Sequence, residues 1–108
     1  MYHLITNLED IVQASKEQPV FIFVHNPSSP LSVHAKSALD MFLKTHPSVP
    51  AHLVVAEEQG NLISELAQRF RIQQESPQLL LLHNGSLAAV HHREKITLEN
   101  IKKAFSEN

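Results

Sequence analysis

The run Val20–His25, VFIFVH, restricts the folding of this chain more than any other stretch. It is apolar up to its last residue and rich in β-branched and aromatic side chains, which is the make-up of a strand. A strand shows alternate residues to opposite faces of its sheet. Both sets are apolar here, so both faces need cover. Such a strand belongs at the centre of an α/β sheet, with helices packed on each side.

The rest of the chain supplies those helices. Tyr2–Ile5 reads as a short strand. Thr6-Asn7-Leu8-Glu9 has the form of a capping box, with Thr6 as N-cap and Glu9 at the third helical position. Leu8, Ile11 and Val12 then make a helix stripe that ends near Lys16, ahead of Pro19. After Val20–His25 comes Asn26-Pro27-Ser28-Ser29, which is turn chemistry, and Pro30 suits the first position of a helix. Leu31, Ala35, Ala38, Leu39 and Phe42 mark that helix's inner face, and His46-Pro47 ends it. Ala51–Ala56 reads as a strand and Asn61 as the N-cap of a third helix, with Leu62, Ile63, Leu66 and Phe70 inward. Glu75-Ser76-Pro77 breaks the chain before a strand over Gln78–His83. Asn84-Gly85 predicts a type I′ hairpin turn, and Ser86–His91 returns antiparallel. Thr97 caps a last helix with Leu98, Ile101, Ala104 and Phe105 inward.

The order (β)αβαβαββα gives one α/β domain over residues 1–108, a mixed sheet of four or five strands flanked by helices. Strand–helix alternation predicts parallel pairing through right-handed crossovers, with the final hairpin adding an antiparallel edge.

Several classes of function are set aside by composition. The net charge is −2 and Lys102-Lys103 is the largest basic cluster, which argues against a nucleic-acid or anionic-membrane surface. The apolar runs, Val20–Val24 and Leu79–Leu82 among them, are far too short for a membrane span. MYHLITNLED has neither a basic n-region nor an apolar h-region, so no secretory signal is expected and a cytoplasmic protein is the default. With no cysteine the chain has no disulfide, no thiol catalysis and no thiolate metal ligand. The eight histidines show no metal-ligand spacing: His91 and His92 adjoin on a strand and point to opposite faces. No metal or cofactor is expected.

The chemistry-bearing residues gather at the carboxyl end of the central strand, where ligands of α/β proteins usually bind. Ser28 and Ser29 lie in the bend, Ser29 directly before a helix. A serine there is a good N-cap. As a hydrolase nucleophile it would need a base, such as His25, and an oxyanion hole. No Gly-x-Ser-x-Gly elbow is present, and the two glycines, Gly60 and Gly85, lie elsewhere.

Phe23-x-His25-x-x-x-Ser29-Pro30-Leu31-Ser32, followed by Glu75-Ser76-Pro77-Gln78 and by Ile96-Thr97, resembles the monothiol bacilliredoxin family of thioredoxin-like proteins over essentially the whole chain. That family's first motif reads F-K-H-S-x-x-C-P-I-S and its second H-E-S-P-Q. The resemblance implies a thioredoxin-like fold and a cis Ser76–Pro77 bond lying against the Ser29 bend. It also implies a role in removing bacillithiol from mixed disulfides on cytosolic proteins. Position 29 is where the family carries its nucleophilic cysteine, and here it is Ser29. The chain departs from the family pattern also at Val24, where a Lys is usual, at Pro27, and at Gln74, where a His is usual.

A thiol at a helix N-terminus is acidified by the unpaired N–H groups, whereas a serine hydroxyl is too weak an acid to be ionised there and cannot exchange with a disulfide. The expectation is therefore a bacilliredoxin-like protein without the catalytic cysteine, redox-inactive as written. No catalytic residue is assigned. His25, Ser28, Ser29, Pro30, Ser32, Ser76 and Pro77 are the candidate binding residues. Bacillithiol, thiol-modified proteins or an extended peptide pairing with the Ser76 backbone are the partners implied. Two other readings stand beside it. One is an active monothiol oxidoreductase whose cysteine at position 29 has been replaced by serine. The other is an interaction or regulatory domain that uses another surface.

Overall fold

The computed structural model describes residues 2–5 and 7–108. The elements follow the expected order: β1 (Tyr2–Leu4), α1 (Leu8–Ala14), β2 (Val20–His25), α2 (Pro30–Thr45), β3 (Ala51–Val55), α3 (Gly60–Phe70), β4 (Gln78–His83), β5 (Ser86–His92) and α4 (Leu98–Ser106), with one 3-10 turn at Arg93–Lys95. They build a five-stranded sheet in the order β1-β3-β2-β4-β5.

β2 is central and buried at every residue, and its two sets of side chains feed two cores. Phe21 and Phe23 pack with Ala35, Leu39, Phe42 and Leu43 of α2, Leu79 and Leu81 of β4, and Ile101 and Ala104 of α4. Val20, Ile22 and Val24 pack on the other face with Leu8, Ile11 and Val12 of α1, Leu66 of α3, and Leu80 and Leu82. Each large apolar side chain removed from water this completely contributes about 1.5–3 kcal/mol. Val24, fully buried in the second core, occupies a place where a Lys would need its charge paired.

β1–β3 and β2–β3 are parallel, as alternation predicts. β4 is not: it runs antiparallel to β2, with Val24 opposite Gln78 and Val20 opposite Leu82. The reason lies in the chain after α3, where Arg71 takes a left-handed conformation (φ 55°) at the helix end and residues 71–77 deliver β4 to the carboxyl end of β2. The hairpin is as expected. Asn84 (φ 55°) and Gly85 (φ 78°) are both left-handed, as a type I′ turn requires.

Two helix starts differ from expectation. The N-cap of α1 is Asn7, whose side chain accepts the Glu9 N–H; Thr6, the expected cap, lies outside the described residues. At α3 the cap position is Gln59 rather than Asn61, and its side chain makes no helix-capping bond. Instead Gln59 Oε1 accepts the Val55 N–H (2.9 Å) and Nε2 donates to the Ile5 carbonyl (2.8 Å), joining β1, β3 and α3. Thr97 caps α4 as expected, accepting the Asn100 N–H at 3.1 Å.

Candidate functional site

The site is assembled where β2 ends. The Asn26–Ser29 bend is closed by Ser29 N–H donating to the Asn26 carbonyl (3.0 Å) and Ser28 N–H donating to Asn26 Oδ1 (3.1 Å). Ser28 itself is exposed. Ser29 is the N-cap of α2 in extended conformation (φ −97°, ψ 121°), with Pro30 at the start of the helix. Its carbonyl accepts the Val33 N–H at 3.0 Å, while its Oγ reaches the Ser32 N–H only at 3.4 Å, a long bond.

Ser32 holds the bend more firmly. It is fully buried, and its Oγ accepts the Asn26 N–H at 2.9 Å and lies 2.7 Å from His25 Nδ1. That contact is a hydrogen bond in either tautomer of the ring, the hydroxyl donating to a bare Nδ1 or accepting from a protonated one. His25 is buried and stacks on Phe23, the ring centroids 5.3 Å apart. Burial, and secondarily the Lys36 charge, push its pKa below the ordinary imidazole value against a smaller pull from Asp40. His25 is therefore a neutral wedge. It pairs with Ser32 and not with Ser29, so the base–nucleophile pair of a serine hydrolase is not formed.

The second half of the site comes from the opposite direction along β4. The Ser76–Pro77 bond is cis. Continuing the β2–β4 register beyond Val24–Gln78 places Pro77 beside His25 and Ser76 beside Asn26. The bend, the helix N-terminus and the cis bond thus share one end of the sheet. Pro77 is buried. Its carbonyl accepts the Arg93 N–H at 2.9 Å. The Ser76 carbonyl accepts from Arg93 Nη1 at 3.2 Å, and the Ser76 N–H has no partner among the described residues. Ser76 Oγ is buried, also without a partner among the described residues.

Glu75 and His92 brace this segment from β5, with Nδ1 2.7 Å from Oε2. Nδ1 therefore carries a proton toward the carboxylate, and the nearby Gln78 Nε2 donates to the Gln73 carbonyl (2.9 Å) rather than to the ring. Gln74, exposed, reaches Ser64 Oγ at 3.4 Å. Among the described residues, no three His, Asp or Glu side chains are grouped so as to hold a metal ion, and no helix is long and apolar enough to cross a membrane.

All seven candidate residues lie at this end of the sheet, in or beside the bend and the cis bond. Arg93 was not legible in the sequence. Its role depends on a left-handed backbone (φ 51°) after β5, and no local turn signal marks a non-glycine residue for that conformation.

Comparison with known proteins agrees with this geometry. The family model described as monothiol bacilliredoxin BrxC matches residues 3–101. Among solved structures, a thioredoxin-fold protein proposed to be an oxidoreductase superposes with a TM-score of 0.85 at 20% identity, over 95% of this chain and 92% of that one. Mitochondrial thioredoxin 3 of Saccharomyces cerevisiae, in its oxidized form, gives 0.75 at 14% identity over 99% and 95%. Oxidised thioredoxin of Plasmodium falciparum gives 0.71 at 13% over 99% and 97%. At these identities the structural likeness establishes the thioredoxin fold.

Proposed function

The chain belongs to the monothiol bacilliredoxin family, and from that premise we propose that it is a member without thiol–disulfide chemistry whose groove still binds an extended peptide, such as a thiol-modified segment of a protein. The observation that carries this reading is the preserved frame around Ser29. The helix N-terminus, the Ser32–His25 brace and the cis Ser76–Pro77 bond are in place, while no sulfur nucleophile exists anywhere in the sequence. Exchange requires a thiolate to attack one sulfur of a mixed disulfide and expel the other as a thiolate. Ser29 cannot take that part.

Binding does not depend on it. An extended ligand can add to the end of β4 through the Ser76 backbone, main-chain hydrogen bonds giving affinity and neighbouring side chains giving selectivity.

The test uses a protein carrying bacillithiol in mixed disulfide. The unaltered chain is expected to release none. The Ser29→Cys variant is expected to attack the bacillithiol sulfur, expel the protein thiolate and itself become bacillithiolated. Release by the unaltered chain overturns the loss of chemistry. Failure of Ser29→Cys overturns the preserved frame.

A further inference from the structure

Arg93 is placed unlike any other cation of the chain. It follows β5 directly, its backbone is left-handed, and its N–H is fixed to the Pro77 carbonyl at 2.9 Å. From that anchored position the guanidinium crosses to the Ser76 carbonyl, Nη1 to O at 3.2 Å. The side chain remains half exposed, and its only ion-pair contact among the described residues is Glu94 at 4.0 Å, the limit of such an interaction. Glu75, the acidic residue next to Ser76, is already engaged by His92 at 2.7 Å. A five-donor planar cation is thus spending one donor on a neutral carbonyl at the rim of the groove.

Two facts about this contact belong together. The Ser76 carbonyl that Arg93 occupies is the acceptor an added peptide strand would use, and the Ser76 N–H beside it has no partner among the described residues. The carbonyl oxygen has two lone pairs, so a ligand N–H can bond it while the guanidinium stays beside it. A carboxylate forms shorter and stronger bonds with a guanidinium than a neutral carbonyl does, two of them in parallel when geometry allows. A carboxylate next to the ligand residue paired with Ser76 therefore meets the donors that the guanidinium leaves unused.

We propose that Arg93 is the specificity-determining residue of the groove, selecting an extended peptide that carries an acidic side chain next to the residue paired with Ser76. This rests on the peptide-binding reading above. In the free protein the Ser76 carbonyl holds the guanidinium at the rim of the groove; in the complex the guanidinium clamps the acidic side chain.

Two fluorescein-labelled extended peptides test this, identical but for a central Glu or Gln, with binding read by anisotropy and by the amide shift of Ser76. The unaltered chain is expected to bind the Glu peptide about tenfold more tightly than the Gln peptide, with the difference shrinking as salt is raised. Arg93→Asn removes the guanidinium but tolerates the left-handed backbone, and is expected to bring the two affinities together. Arg93→Lys keeps the charge without the fork and is expected to retain part of the preference. Equal binding of both peptides by the unaltered chain, with the Ser76 amide shifting, overturns the role of Arg93 and leaves the groove standing. A Glu preference that persists in Arg93→Asn does the same. Binding of neither peptide, with Ser76 unmoved, overturns the groove and the Arg93 role with it.

Discussion

Two serines three residues apart have opposite duties. Ser29 occupies the place where chemistry would be expected, yet its hydroxyl contributes one long capping bond of 3.4 Å. Ser32, fully buried, satisfies the Asn26 N–H and pairs with His25. Removing Ser29 Oγ with Ser29→Ala should cost about 0.5 kcal/mol, the low end for an N-cap. Ser32→Ala leaves the part-buried Asn26 N–H and a buried ring nitrogen unpaired and should cost about 2–4 kcal/mol. Urea unfolding of the two variants measures both, and a Ser29→Ala loss equal to that of Ser32→Ala would contradict this division. A second expectation concerns pH. Burial is the main cause that lowers the proton affinities of His25, His52 and His91 in the folded chain. Unfolded, each returns to about 6.5. Below that value the unfolded chain binds protons the folded chain refuses, so stability is full above about pH 6.5 and is lost as pH falls toward the depressed values. The urea midpoint should therefore be lower at about pH 5.5 than at about pH 7.5. His52 Nδ1 is buried with no partner among the described residues. His52→Leu should then flatten this slope without loss of stability at the higher pH, and an unchanged slope would count against it.

At the scale of elements, the hairpin is latched to α1 by Ser15. That residue is fully buried at the helix end. Its Oγ donates to the Val12 carbonyl (2.6 Å) and accepts the Gly85 N–H (2.9 Å), and its carbonyl accepts the Asn84 N–H (2.8 Å). At Gly85 a Cβ would stand 3.4 Å from Lys16 Cε, on a backbone at φ +78°. Gly85→Ala should destabilise by about 1 kcal/mol or more, read as a lower thermal midpoint, and an unchanged midpoint would refute it. The turn itself was legible because Asn-Gly demands two left-handed residues whatever surrounds it. The Thr97 cap was legible for the same local reason. Gln59 was not, because its amide bonds the Ile5 carbonyl 54 residues away and nothing beside it in sequence records that use. The direction of β4 was hidden likewise: alternation of strands and helices predicts parallel pairing, and only the path of residues 71–77 reverses it. For the site, the bend and the helix start were readable from Pro30 and its neighbours. The Ser32–His25 bond and the Arg93 contact join residues whose meeting depends on the finished fold.

For the whole molecule, β2 sets the order of stability. Its side chains are buried on both faces and its backbone is paired with β3 and β4, whereas β1 and β5 are the edges of the sheet. β2 amides should exchange with solvent only through global unfolding, and edge amides by smaller openings. Hydrogen exchange followed by NMR checks this, and β1 amides as slow as those of β2 would refute it. The same architecture separates form from reagent. The form of this end of the sheet is set at Ser32, His25 and the Ser76–Pro77 bend, whereas the place of a reagent is position 29. Two properties encoded at different positions can drift independently. A lineage can then set its reagent aside while the form of the site persists, and the exchange assay on Ser29→Cys asks whether that has happened here.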